Sequence, residues 1–226
     1  MGRIGNSSAP TAVFGAFLGI GCLWLAKFET TLAFAAVTIG VLAVLGFVRY
    51  RALTLAIVVL VLAGTRTDLI VALAGAELAR WWWTDRRPAT LRSAVVLGAA
   101  GALATAVLAQ RFAHNPYNNE MVELAYNLRP TVLATGAGFL LPPLLPWVLC
   151  WRGPGLRDAL RPHLPIAIPL LGLCIVEIGQ CTAVGRLEEV RMFFPLAAPL
   201  AVLGILGWRA AASLGIEPIV DHPAGR

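Results

Sequence analysis

The stretch IAIPLLGLCIVEIGQCTAV (166–184) decides the fold class, because its 19 residues hold one charged side chain, Glu177. About 20 predominantly apolar residues are enough for a helix to cross the hydrocarbon core of a bilayer. The composition agrees with such a helix, since 58% of the 226 residues are hydrophobic and only 13% are charged. A soluble domain is about half apolar and a quarter charged. The sequence therefore predicts an all-α, polytopic integral membrane helix bundle.

Further apolar runs predict about eight spans, with six as the alternative count. The runs lie near residues 11–27, 30–48, 52–65, 68–83, 94–110, 131–151, 164–184 and 192–213. The third and fourth are short or carry charges, so we expect short tilted helices or one re-entrant pair. No repeat and no long linker divides the chain. Residues 1–226 are therefore predicted to form a single transmembrane domain, with an interfacial helix in the outer loop 111–130.

The basic residues predict the orientation of these spans. If the loop 49–51 is cytoplasmic, alternation of eight spans puts twelve of the 18 basic residues on the cytoplasmic side. The positive-inside rule then predicts a multi-pass protein of the cell inner membrane with both termini in the cytoplasm. The lipid bilayer is the first expected partner. The chain lacks the basic and aromatic pattern that binds nucleic acid, so we expect no nucleic-acid partner.

Four charges stand together in GRLEEVRMFFPL (185–196), between two apolar runs. They are Arg186, Glu188, Glu189 and Arg191. On the predicted topology this cluster faces the outside. One interpretation is a solvated turn whose neighbouring charges neutralise each other. The other is a site in which paired Glu189 and Arg191 bind a phosphate or sugar hydroxyls, since a guanidinium forks onto phosphate oxygens.

A second polar stretch, GTRTDLI (64–70), lies on the same predicted face and contains Arg66 and Asp68. Asp68 is placed to cap the following helix, because a carboxylate accepts hydrogen bonds from the first backbone N–H groups. Alternatively, Arg66 and Asp68 line the same outer cavity as Glu189 and Arg191.

Two carboxylates, Glu77 and Glu177, lie inside predicted spans, where charge is expensive and usually faces the bundle interior. Arg80 follows Glu77 by three residues, which predicts an ion pair between them near the inner interface. Glu177 has no basic residue within a turn of helix. We interpret it either as a protonated structural side chain or as a group that lines a cavity and handles protons.

Metal and cofactor sites are not predicted. The four cysteines and three histidines have no metal-ligand spacing, and no nucleophile elbow, phosphate loop or dinucleotide turn occurs. The prolines of FLLPPLLPW (139–147) predict a kinked or locally unwound helix.

Three short patterns resemble one known family. They are Arg66-Thr67-Asp68 after a short span, NLRP (127–130) at the end of a loop, and GRLEEVRMFFPLAAPL (185–200). Together they look like the C-terminal part of bacterial polytopic membrane proteins related to GT-C glycosyltransferases. The resemblance covers roughly residues 28–205.

The resemblance implies an active site on the outer face and a polyprenyl-phosphate sugar as donor. It implies an acidic residue in the first outer loop that serves as catalytic base or metal ligand. Glu29 is the only acid there, and Asp68 is a second catalytic candidate. It implies substrate contacts by Arg66, Glu188, Glu189 and Arg191. The family usually carries further N-terminal spans, so whether this chain is catalytic stays open.

Two other functions remain open alongside the transferase-like one. A non-catalytic transmembrane subunit that packs with other membrane subunits is favoured by small residues such as those of VLGAAGALATAV (96–107). A small transporter would use Glu177, although no internal repeat supports it.

Overall fold

The computed structural model of the chain describes residues 28–111, 124–149, 153–183 and 190–214. Within these ranges every regular element is helical and no strand occurs, which confirms the all-α prediction. In chain order the helices are α1 (Phe28–Val44), α2 (Arg51–Ala63), α3 (Asp68–Trp83), α4 (Pro88–Arg111), α5 (Leu124–Asn127), α6 (Pro130–Leu149), α7 (Pro154–Leu160), α8 (Leu164–Ala183) and α9 (Ala197–Ala212). Short 3-10 segments, Arg161–His163 and Val190–Leu196, precede α8 and α9.

Three helical segments are long and apolar enough to cross a membrane, namely Pro88–Arg111, Pro154–Ala183 and Phe193–Ala212. The bent helix α6 adds a fourth if its two halves count as one span. Helices α2 and α3 have 13 and 16 residues, which at about 1.5 Å per residue rise roughly 20 to 24 Å and fall short of a bilayer core. The predicted count of about eight spans is not confirmed, and the predicted span at 11–27 lies outside the described residues.

Helix α6 bends by 81° between Pro130–Gly138 and Leu140–Leu149. Pro142 and Pro143 fall in the first turn of the second half, where a missing N–H costs little. Their rings block a straight continuation of the first half, since each would meet a carbonyl of the preceding turn. The bend is what the prolines of this stretch predict.

Helices α3 and α8 form the most extensive helix pair of the core and run antiparallel. Their closest approach is at Gly75 and Gly172, where a Cβ on Gly172 would lie 2.6 Å from Ala79 Cβ and 2.8 Å from the Gly75 carbonyl oxygen. Small residues at a helix crossing let the two backbones approach this closely. The crossing sets the two helices in a fixed register, which places the end of α8 beside the start of α3.

Helix α4 packs antiparallel on the other side of α3. Gly101 lies against Val71, and the Thr105 hydroxyl donates to the Thr67 hydroxyl at 3.1 Å. Much of the opposite surface of α4 is apolar and exposed, for example Leu103 at 66%. Such a surface suits lipid or another apolar partner, which agrees with a helix long enough to span a membrane.

The antiparallel pairs give the bundle two ends. The Arg66 end comprises the start of α3 and the ends of α4 and α8. The Glu77 end comprises the ends of α1 and α3 and the starts of α4 and α8. The contacts of Arg66 with Glu177 and of Arg80 with the Val44 carbonyl define these two ends.

Candidate functional site

Three charged side chains meet at the Arg66 end, and we call Arg66, Asp68 and Glu177 the Arg66 cluster. Arg66 lies in the connection between α2 and α3, and its Nε donates to both carboxylate oxygens of Asp68 at 2.9 and 3.0 Å. A second donor, Nη2, contacts both Asp68 and Glu177. The Nη2 to Glu177 Oε1 distance is 2.8 Å. One guanidinium thus joins two carboxylates from helices that are distant in the sequence.

The local backbone explains where Asp68 points. Thr67 occupies the N-cap position of α3 without a side-chain capping bond, and Asp68 is the first helical residue. The Asp68 carboxylate accepts from Arg66, two residues before it, and this pairing replaces the capping role that the sequence suggested. Gln180 of α8 donates to the Asp68 backbone carbonyl at 3.2 Å. The start of α3 is therefore tied to the last turn of α8.

Glu177 is the buried member of the cluster, with a fully buried side chain. Its Oε1 accepts from Arg66 and lies 3.6 Å from the Cys181 sulfur. Its other oxygen, Oε2, accepts no hydrogen bond from the described part of the chain. Sequence proximity offered no basic partner for Glu177, and the tertiary structure supplies one from 111 positions away.

The other two members are partly accessible, since the Arg66 and Asp68 side chains are 21% and 28% exposed. Burial disfavours the charged guanidinium, but the hydrogen bond and charge of Asp68 more than offset it, so the pKa of Arg66 lies above its ordinary value. Arg66 therefore stays a cation, and its single guanidinium serves both carboxylates.

Asn127, at the end of the short helix α5, adds a polar contact beside the cluster. Its side chain is fully buried, and its Nδ2 donates to the Thr182 carbonyl at 2.9 Å. The segment after the predicted outer loop is thereby attached to the last turn of α8. Helix α5 covers the end of the predicted interfacial helix, while residues 112–123 of that loop lie outside the described part.

The remaining predicted site residues are only partly described. Glu188 and Glu189 lie outside the described residues. Glu29 and Arg191 belong to described helical turns, but their side chains do not belong to the described part. Their segments meet near the Arg66 end, since Phe34 of α1 and Phe194 of the Val190–Leu196 segment pack with ring centroids 5.1 Å apart.

A second charged group, here called the Glu77 cluster, consists of Arg51, Glu77, Arg80 and Asp85. Glu77 is fully buried and forms an ion pair with Arg51, the first residue of α2. Arg80 instead donates to the Val44 carbonyl and pairs with Asp85 at 3.5 Å. The prediction that Glu77 pairs with Arg80 is therefore wrong, because the partner of Glu77 is Arg51.

The reason for this difference is the end of α1. Arg80 is one turn from Glu77, but the last carbonyl of α1 has no intrahelical partner and accepts the Arg80 guanidinium. Arg51 then takes the buried carboxylate. The sequence signal for this pair is a basic residue, Arg51, at the start of a short apolar helix.

Among the described residues, no group of three or more His, Cys, Asp or Glu side chains is arranged to hold a metal ion. Comparisons of the chain with protein-family models, curated proteins and solved structures find no match. The resemblance to GT-C-related proteins therefore rests on its three short patterns alone and stays a prediction.

Proposed function

We propose that this chain is an integral membrane protein that recognises the sugar head group of a polyprenyl-phosphate sugar at the Arg66 cluster. The observation that carries the proposal is the contact of Arg66 with both Asp68 and Glu177 at one end of an apolar bundle. Charged side chains are costly in such a chain, and in membrane proteins they mark functional sites by default.

The chemistry of the cluster suits hydroxyl groups. An ionised carboxylate only accepts hydrogen bonds and a guanidinium only donates them, whereas a sugar hydroxyl does both. Asp68 and Arg66 are exposed enough to be reached by a head group at the membrane surface. Arg66 is already engaged by Asp68 and Glu177, so the lipid phosphate requires other cations.

Arg191 is our candidate for the phosphate contact, with Glu188 and Glu189 as further contacts to the sugar. The Val190–Leu196 segment packs on α1 through the Phe34 and Phe194 rings, which supports this arrangement. For a transfer reaction Glu29 is the better candidate base, because the Asp68 carboxylate oxygens are already engaged by Arg66.

The proposal includes an orientation in which the Arg66 end faces outside the cell and both termini lie in the cytoplasm. The arginines of the described residues are concentrated at the Glu77 end, and basic residues favour the cytoplasmic side of the inner membrane. The full bundle is expected to contain about eight spans.

A non-catalytic membrane subunit is the second candidate function. The observation that favours it is that Asp68 and Glu177 share one cation, Arg66. This arrangement also holds α3 and α8 together. In that case the exposed apolar surface of α4 would contact other membrane subunits.

Binding of an undecaprenyl-phosphate-linked hexose to the purified full-length chain tests the proposal. The variant Asp68→Asn is compared with Asp85→Asn, a matched acid that also pairs with arginine and is 19% exposed at the opposite end. We expect lipid-dependent thermal stabilisation to be lost in the first variant and kept in the second. Equal behaviour of the two variants, or stabilisation by undecaprenyl phosphate without sugar, would contradict recognition of the sugar at this cluster.

A further inference from the structure

The Glu77 end is much more basic than the Arg66 end. Its described arginines are Arg49, Arg51, Arg80, Arg86, Arg87, Arg92, Arg157, Arg161 and Arg209. The acids among the described residues of this end are Glu77, Asp85 and Asp158. The last three arginines belong to this end because α7 precedes the start of α8, and Leu214 after α9 lies 3.8 Å from the position of a Cβ on Gly155.

Two neighbouring turns at this end form a common surface, here called the arginine platform. They are the α1–α2 turn, residues 45–50, and the α3–α4 turn, residues 84–87. Arg80 connects them, since its guanidinium donates to the Val44 carbonyl and pairs with Asp85. Both side chains of this pair are about one-fifth exposed. The Arg80–Asp85 pair therefore forms the base of the platform. The arginines that point outward from it outnumber the acids on this surface.

The outward arginines rest on exposed aromatic rings. Arg86 lies over the Trp82 ring and Arg49 over the Tyr50 ring, each 5.5 Å from the ring centroid. Neither guanidinium has a carboxylate partner among the described residues. Arg87 pairs with Asp85 at 3.2 Å but remains 82% exposed. Positive charge and aromatic surface are thus presented side by side.

We propose that the arginine platform binds the phosphate head group of an anionic phospholipid. A guanidinium forks onto two oxygens of one phosphate, and Arg86 and Arg87 are adjacent at the tip of one turn. Exposed tryptophans such as Trp82 favour the head-group level of a bilayer, where that phosphate lies. A zwitterionic lipid fits less well, because its own cation would approach the arginines. This site is independent of the Arg66 cluster and of the proposed sugar recognition.

The test measures thermal unfolding of the full-length chain in neutral detergent against added phosphatidylglycerol. A basic residue next to an anionic head group contributes about 1 kcal/mol, or roughly fivefold in binding, and one farther from it contributes less. We therefore expect Arg86→Gln with Arg87→Gln to weaken the apparent affinity by roughly 30-fold. The matched control, Arg157→Gln with Arg161→Gln, removes the same charge from the same end outside the platform. It should weaken the affinity by only a few fold.

Three results would overturn the proposal. Equal weakening by the control pair would show that charge acts diffusely over the whole end. Equal stabilisation by phosphatidylcholine would show that the head-group charge is not recognised. Equal stabilisation by soluble glycerol phosphate would show a site for free phosphate rather than for lipid.

A second measurement covers the case in which the double variant fails to fold. The wild-type chain is exchanged into equal amounts of phosphatidylglycerol and phosphatidylcholine, and the lipid that stays bound is counted by native mass spectrometry. We expect several-fold enrichment of phosphatidylglycerol. Equal amounts of the two lipids would refute the platform without any variant.

Discussion

The ion pair between Arg66 and Glu177 predicts that the two substitutions that break it have unequal effects. Glu177 is fully buried, whereas Arg66 is 21% exposed and keeps Asp68 as a second partner. Arg66→Met leaves a buried carboxylate without a cation, which costs roughly 3–5 kcal/mol of unfolding free energy. Glu177→Gln keeps the shape and an acceptor for Arg66, so we expect a loss of only about 1 kcal/mol.

The double variant Arg66→Met with Glu177→Gln tests whether the two effects are coupled. It removes both charges of the pair, so no buried carboxylate remains at position 177. Asp68 also loses its cation, but this carboxylate is 28% exposed and is partly solvated. We expect the double variant to recover about half of the loss caused by Arg66→Met. After both single losses are subtracted, this is a coupling of roughly 3 kcal/mol.

Denaturant titration of the purified chain in detergent, followed by tryptophan fluorescence, measures these free energies. Arg87→Met is the control, because its pair with Asp85 is 82% exposed on the arginine side and should contribute only about 0–1 kcal/mol. An Arg66→Met loss no larger than that of the control would refute the buried ion pair. So would a Glu177→Gln loss equal to that of Arg66→Met.

Three further predictions concern packing and topology. Gly172→Ala should destabilise the chain by roughly 1–3 kcal/mol, because the added Cβ would lie 2.6 Å from Ala79 Cβ of the facing helix. The control Gly179→Ala should not, because open space surrounds Gly179. Equal denaturation midpoints for the two variants would contradict the close crossing. Asn127→Ala should cost roughly 1 kcal/mol in the same titration, because the partly buried Thr182 carbonyl at the end of α8 loses its donor. An unchanged midpoint would show that this bond is dispensable. Single cysteines at Asn118 and Glu188 should react with an impermeant label from outside the cell, and labelling only from the cytoplasmic side would reverse the proposed orientation.

The sequence by itself determined the helical class and the approximate position of the helices. Apolar runs of helical length have few other ways to satisfy their backbone groups in a membrane. Pro88 and Pro130 stand at the first positions of α4 and α6, where proline is favoured, although the predicted runs began later, near residues 94 and 131. The prolines of α6 likewise indicated its bend. Span number was harder, because an apolar run does not reveal where a short helix ends within a bilayer.

Only the tertiary structure decided which charges are partners. Sequence reasoning compares residues within one or two helical turns, so it assigned Arg80 to Glu77 and nothing to Glu177. The actual partners are Arg51 and Arg66, which arrive from other elements. The antiparallel crossing of α3 and α8 brings the start of one helix beside the end of the other. Which side chains then meet depends on the register set by that glycine crossing, which has no signature in the local sequence around either charge.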